Sequence, residues 1–91
     1  MRESKVEAEI RAWCLDHGIL FYKFVSPGRA GVPDRLAIGP TGRIAFLEIK
    51  APGKKPSELQ RYEIRKLQNR GVHAACCDNS SDGIYWLRRI L

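Results

Sequence analysis

Apolar residues recur at three- and four-residue spacing in the first segment. Val6, Ile10, Trp13 and Cys14 make one stripe, which predicts a helix over residues 4–17. His17-Gly18 closes it, with glycine supplying the positive φ of a helix end. The pattern then changes. Residues 19–25 are β-branched and aromatic and predict a strand. Residues 26–33 hold two Gly and two Pro and predict a loop. Residues 34–39 and 43–50 predict two strands joined by Pro40-Thr41-Gly42 as a hairpin. A loop over 51–56 leads to a second helix from Ser57 to about Arg70, ended by Gly71, with Leu59, Tyr62, Glu63, Lys66 and Leu67 at its inner edge. Residues 72–77 predict a fourth strand and 78–83 a turn. A short terminal helix follows, carrying Ile84, Leu87 and Leu91.

The order is αβββαβα, an α/β protein. Both central strands carry apolar residues at both parities, so the expected architecture is a mixed central sheet flanked by helices. Ninety-one residues make one domain, 1–91. No apolar run is longer than Ile44-Ala45-Phe46-Leu47, which is too short for a membrane span. The charged start Met1-Arg2-Glu3-Ser4-Lys5 does not read as a signal peptide. The expected compartment is the cytoplasm.

Net charge is +6, and it is uneven. Residues 41–70 hold 8 basic and 3 acidic groups. A positive field in that stretch suggests a polyanionic partner, although charge alone fits a basic soluble surface equally well. Cys14, Cys76 and Cys77 are an odd count without a Cys-x-x-Cys, so a disulfide framework or zinc site is not expected. Cys76 and Cys77 should point to opposite faces of their strand.

The chemistry lies in polar residues at strand ends. Asp34 starts one central strand. Glu48 and Lys50 end the next and share a face, with Ile49 on the other. Hairpin register decides whether Asp34 joins them. A two-residue turn would pair Asp34 with Ile49. A three-residue loop, Pro40-Thr41-Gly42, pairs Gly39 with Arg43 and Asp34 with Glu48, and Gly42 supplies the left-handed residue such a loop needs. The second register is the expected one. Two converging carboxylates suit Mg²⁺ or Mn²⁺, with Lys50 placed to orient water or hold developing negative charge. The bland reading of the same residues is an ion-pair cluster at a sheet end.

Gly31-Val32-Pro33-Asp34, then thirteen residues, then Glu48-Ile49-Lys50 resembles the PD-(D/E)XK nuclease signature. The fuller string resembles its VRR-NUC branch, the virus-type replication-repair nucleases, from about Glu3 to Gly71. It comprises Lys23, Ser26-Pro27-Gly28, Pro33-Asp34-Arg35, residues 46–56 and Gln60. The resemblance implies a restriction-endonuclease-like core and metal-dependent hydrolysis of DNA phosphodiesters. Asp34 and Glu48 match the metal-binding carboxylates, the Ile49 carbonyl a backbone ligand, and Lys50 the catalytic lysine. A first-helix glutamate and the glutamine Gln60 would complete the site. Small stand-alone members are similar to Holliday-junction resolvases and act as homodimers, which makes branched DNA the expected substrate. The cell would be bacterial or phage-infected. A flap or nicking nuclease and a non-catalytic DNA-binding module are the alternatives.

Several assignments stay double. Glu7 is favoured as the helix glutamate, with Glu3 the alternative, because Ser4-x-x-Glu7 is also a capping box. Ser57-x-x-Gln60 is another. Lys23, Ser26, Arg29, Lys54, Lys55 and Arg61 are the expected phosphate contacts, and Arg35 an ion-pair partner or DNA contact. Residues 72–77 and 84–91 are candidate dimer surfaces.

Overall fold

The computed structural model describes residues 2–91. Three helices and four strands follow in the expected order: α1 (Glu3–Asp16), β1 (Leu20–Lys23), β2 (Arg35–Ile38), β3 (Ile44–Ile49), α2 (Glu58–Asn69), β4 (His73–Cys77) and α3 (Ser80–Ile90). The sheet runs β1-β2-β3-β4. The first three strands form an antiparallel meander, and β4 lies parallel to β3 after the α2 crossover.

Strand alternation divides the sheet into two unlike faces. On one, Phe21, Ala37, Ala45, Leu47, Ile49 and Cys77 pack against Val6, Ile10 and Cys14 of α1 and Leu87 of α3, forming the core. Burial of each large aliphatic side chain there contributes roughly 1.5–3 kcal/mol. The apolar stripe read along α1 is the stripe that is buried. On the other face α2 lies over β4, where Gln68 donates through Nε2 to the Ala74 carbonyl at 2.7 Å. Its inner edge is narrower than the spacing suggested. Glu63 and Ile64 are buried, whereas Leu59 and Tyr62 are exposed, because a helix seated over the sheet edge has little beneath its far flank.

The rest of that second face is open. The register aligns Leu20, Ile38 and Ile44 in one cross-strand row and Tyr22, Leu36 and Phe46 in the next. Leu20, Tyr22 and Ile44 are each about half exposed (50%, 51% and 46%). The expectation of cover on both faces of the two central strands therefore holds for the end of β3 but not for the start of β3 at Ile44. In the C-terminal segment Trp86 and Leu91 pack partly against the core, whereas Tyr85 is exposed.

Helix α3 starts four residues earlier than its sequence suggested. Asn79 caps it, accepting the Asp82 N–H on Oδ1 at 2.8 Å, so Ser80 to Gly83 form a helical turn. Gly83 misled the reading. It is there for close approach: a Cβ on it would lie 2.8 Å from Ile10 Cδ1 and 3.0 Å from Cys77 Sγ.

The loop between β1 and β2 closes onto α2 in the same way. Gly31 has φ of +87°, and a Cβ on it would meet Leu59 at 2.7 Å from Cγ and 3.1 Å from the carbonyl oxygen. Both backbone conformation and space exclude a side chain. Gly31→Ala should lower stability by about 2 kcal/mol, a fall in Tm of about 10 °C. A thermal melt checks it, and an unchanged Tm would contradict this packing.

Candidate active site

The hairpin takes the three-residue loop. Gly39 donates to the Arg43 carbonyl at 2.8 Å, Gly42 donates to the Gly39 carbonyl at 2.9 Å, and Gly42 has φ of +88°. Arg35 pairs with Leu47, so the next step sets Asp34 across from Glu48. The ladder stops there for a covalent reason. Hydrogen-bonded partners run 39–43, 37–45 and 35–47, and the next residue in that series is Pro33, which has no N–H to give the Ile49 carbonyl. On the far side, Lys50 donates its N–H to the Cys77 carbonyl at 2.8 Å.

Glu48 is buried, at 8% exposure. Burial and then the Asp34 charge push its carboxyl up to about 7, with Glu3 adding to the rise, while Lys50 and Arg35 oppose it. Lys50 Nζ stands 3.9 Å from Glu48 Oε2. Gln60 Nε2 reaches the same oxygen at 3.5 Å, while Gln60 Oε1 accepts the Ser57 N–H at 2.9 Å. One amide thus closes the α2 capping box with one end and faces Glu48 with the other. The capping bond and the contact with Glu48 coexist.

The two helix glutamates make different contacts. Arg2 is the α1 N-cap and makes no side-chain cap bond, so Ser4 and Glu7 form no capping box. Glu7 pairs instead with Arg11 and, at 3.6 Å, with Arg35 Nε. Arg35 also contacts Asp34 Oδ2 at 3.2 Å through Nη1. The sequence favoured Glu7 as the third carboxylate of the site. The structure commits Glu7 to two guanidinium groups, and Glu3 is the α1 carboxylate whose charge acts on Glu48.

The six expected phosphate contacts separate. Lys54, Lys55 and Arg61 are exposed on the loop and first turn that follow Lys50. Lys23 is exposed but pairs with Arg35, which places it on the α1 side of the sheet, away from Glu48. Ser26 is half-buried and its carbonyl accepts the Arg29 N–H at 3.2 Å. Arg29 is a strut: its Nε and Nη2 donate to the two oxygens of buried Glu63 at 3.0 and 3.2 Å. That hydrogen-bonded pair holds the Glu63 carboxyl below its ordinary range. The pairing fixes the β1–β2 loop on α2. Sequence could not show it, because the partner lies 34 residues away.

Cys77 lies in the core and Cys76 on the Glu48 face, as alternation required. Burial pushes Cys14 up to about 11 and Cys77 to about 12, so neither is a ready nucleophile.

Among the described residues, no three His, Cys, Asp or Glu side chains converge to hold a metal by themselves. The donor set that fits a divalent cation is mixed: Asp34, Glu48 and the Ile49 carbonyl. That all-oxygen set, leaving room for waters, is the habit of Mg²⁺ and Mn²⁺. After burial, the Asp34 charge is the next cause of the raised Glu48 carboxyl, and a cation near both would oppose that rise. No described helix is long and apolar enough to cross a membrane.

The chain is similar to known proteins in sequence and in fold. The family model of the VRR-NUC domain matches residues 1–81. A protein of Acyrthosiphon pisum secondary endosymbiont phage 1, named "Putative nuclease p44", is 48% identical over 67 residues, 74% of this chain and 72% of that protein. A solved structure named "VRR_NUC domain" superposes with a TM-score of 0.87 at 27% identity, covering 98% of this chain and 97% of that one. A second, "VRR_NUC domain protein", shares the fold with a TM-score of 0.74 at 20% identity, over 99% of this chain and 88% of that one. With this match spanning most of its length and the same mixed sheet beneath it, the chain belongs to the VRR-NUC family of nuclease domains.

Proposed function

We propose that this protein is a Mg²⁺- or Mn²⁺-dependent endonuclease that hydrolyses phosphodiester bonds in branched DNA, four-way junctions above all, as a homodimer in the cytoplasm of a bacterial or phage-infected cell. The observation that carries the reading is Glu48, a buried carboxylate facing Asp34 with Lys50 Nζ 3.9 Å away. A divalent cation held by Asp34, Glu48 and the Ile49 carbonyl would neutralise phosphate charge and lower the pKa of a bound water. Lys50 is the one cation on the same strand face. Its ammonium faces the charge that develops on the phosphate oxygens. Gln60 holds Glu48 Oε2 in place from α2. Lys54, Lys55 and Arg61 grip the backbone without reading sequence.

The open face of β1–β3 supports a second copy as its occupant. Three of its six apolar side chains, Leu20, Tyr22 and Ile44, are about half exposed, and a contiguous apolar face of this kind marks an interaction surface. A chain of charge +6 repels its own copy over a basic surface, whereas these two rows carry no charge. A two-fold contact there is self-complementary and sets both sites on one assembly. Tyr22→Lys should then turn a dimer into a monomer in sedimentation at micromolar concentration. A monomeric wild type would contradict the homodimer, and a dimeric variant would contradict this face.

A panel of four-way junction, flap, splayed and linear duplex DNA with Mg²⁺ or Mn²⁺ tests the activity. The junction should be cut fastest, and Lys50→Ala should lose at least about 10²-fold in rate with DNA affinity nearly unchanged. Preference for the flap would assign a flap nuclease. Binding without cleavage in any wild-type reaction would assign a DNA-binding module.

The Glu48 charge also has a stability consequence. Its carboxyl is raised from 4.5 to about 7, so the folded state holds a proton that the unfolded chain releases. The penalty grows as pH rises from 4.5 to 7 and is complete above that. Without divalent cation, Glu48→Gln should therefore stabilise the protein at about pH 8, by roughly 3 kcal/mol or a Tm rise of about 15 °C, and hardly at all near pH 4. Calorimetry at the two pH values checks it.

A further inference from the structure

The segment from β3 to α2 carries Lys54 and Lys55 and opens with a tight turn. Lys54 donates its N–H to the Ala51 carbonyl at 2.9 Å, with Pro52 and Gly53 at the two central positions and Gly53 at φ +83°. This is a type II turn, which leaves the N–H of its second central residue without a partner inside the turn. Asp78 takes it: Gly53 N–H donates to Asp78 Oδ2 at 3.0 Å, across 25 residues of sequence. The other carboxylate oxygen, Oδ1, accepts from Asn79 Nδ2 at 3.0 Å, and Asn79 is itself fixed as the cap of α3. Asp78 directly follows Cys77, whose carbonyl holds the Lys50 N–H. The end of β4 thus grips the β3–α2 segment twice, at Lys50 and again at Gly53. The carboxylate does so from a half-buried position at the sheet end, in reach of Lys55.

We infer that Asp78 is a positioning residue, a latch that fixes the Pro52-Gly53 turn so that Lys54 and Lys55 present two ammonium groups to one DNA backbone. This rests on the nuclease reading above, and in particular on Lys54 and Lys55 as phosphate contacts. A carboxylate beside a DNA path would by itself weaken binding through repulsion. Its place here makes sense if the order it imposes outweighs that charge. The two possibilities predict opposite signs.

The test is the affinity of fluorescein-labelled duplex without divalent cation, from about 50 to 200 mM salt. In the wild type, Lys54→Ala with Lys55→Ala should flatten the slope of log K against log salt by about 2, the loss of two phosphate contacts. Asp78→Ala should weaken binding about tenfold at low salt and flatten the slope by 1 to 2. Adding the two lysine substitutions to Asp78→Ala should then change little further. Asp78→Asn, which keeps an acceptor oxygen for Gly53 N–H, should restore most of the slope. In the unaltered protein the Gly53 amide should exchange slowly with solvent, a readout independent of any variant. Tighter binding by both Asp78→Ala and Asp78→Asn, or a freely exchanging Gly53 amide, would overturn the latch. If the two lysine substitutions leave the wild-type slope unchanged, the phosphate-contact reading fails, and the latch with it.

Discussion

One carboxylate placed where water is scarce organises this protein. Glu48 sits in the interior of the sheet, across from Asp34, and its ionisation is opposed by burial and by that neighbour. A fold keeps such a group only where something else returns the energy. Lys50 and Arg35 return part of it, and a hard cation would return the remainder. The core beneath is ordinary apolar packing of α1 and α3 on one sheet face, and it holds the strand ends firm enough to keep two like charges opposed.

That opposition depends on a single loop. Had the β2–β3 connection been one residue shorter, every side chain of β2 would have changed face, and Asp34 would have lain across from Ile49. Gly42, at φ +88°, permits the three-residue form. Pro33 then stops the ladder at the point where a further N–H would have occupied the Ile49 carbonyl. Two residues chosen for backbone reasons thus determine which atoms meet at the site.

Much of this was legible from local pattern. The element order, the hairpin register, the buried stripe of α1 and the opposed cysteines all follow from spacing and turn chemistry, which act within a few residues. What escaped the sequence acts over longer range. Arg29 read as a phosphate contact because its partner, Glu63, belongs to another element. Glu7 satisfied the spacing of a helix-face glutamate, but its contact with Arg35, on another element, could not be read from that spacing. Lys23 fell on the wrong face because a strand end alone does not fix parity relative to Glu48. Leu59 and Tyr62 matched an inward helix face, but α2 sits over an edge strand and leaves them exposed. The start of α3 was hidden by Gly83, whose signal as a turn residue outweighs its use as a small residue in a crowded contact. A strand-end aspartate such as Asp78, followed by an Asn cap, could have been marked as a candidate anchor, though its partner could not.

The protonation of Glu48 is the most direct test of a cation site between the strand ends. A carbon-13 titration of its side-chain carboxyl by NMR, with and without Mg²⁺, measures it. The midpoint should lie near 7 in the absence of the cation and fall by at least about one pH unit when Mg²⁺ is added. A midpoint near the ordinary 4.5 that Mg²⁺ does not move would contradict it.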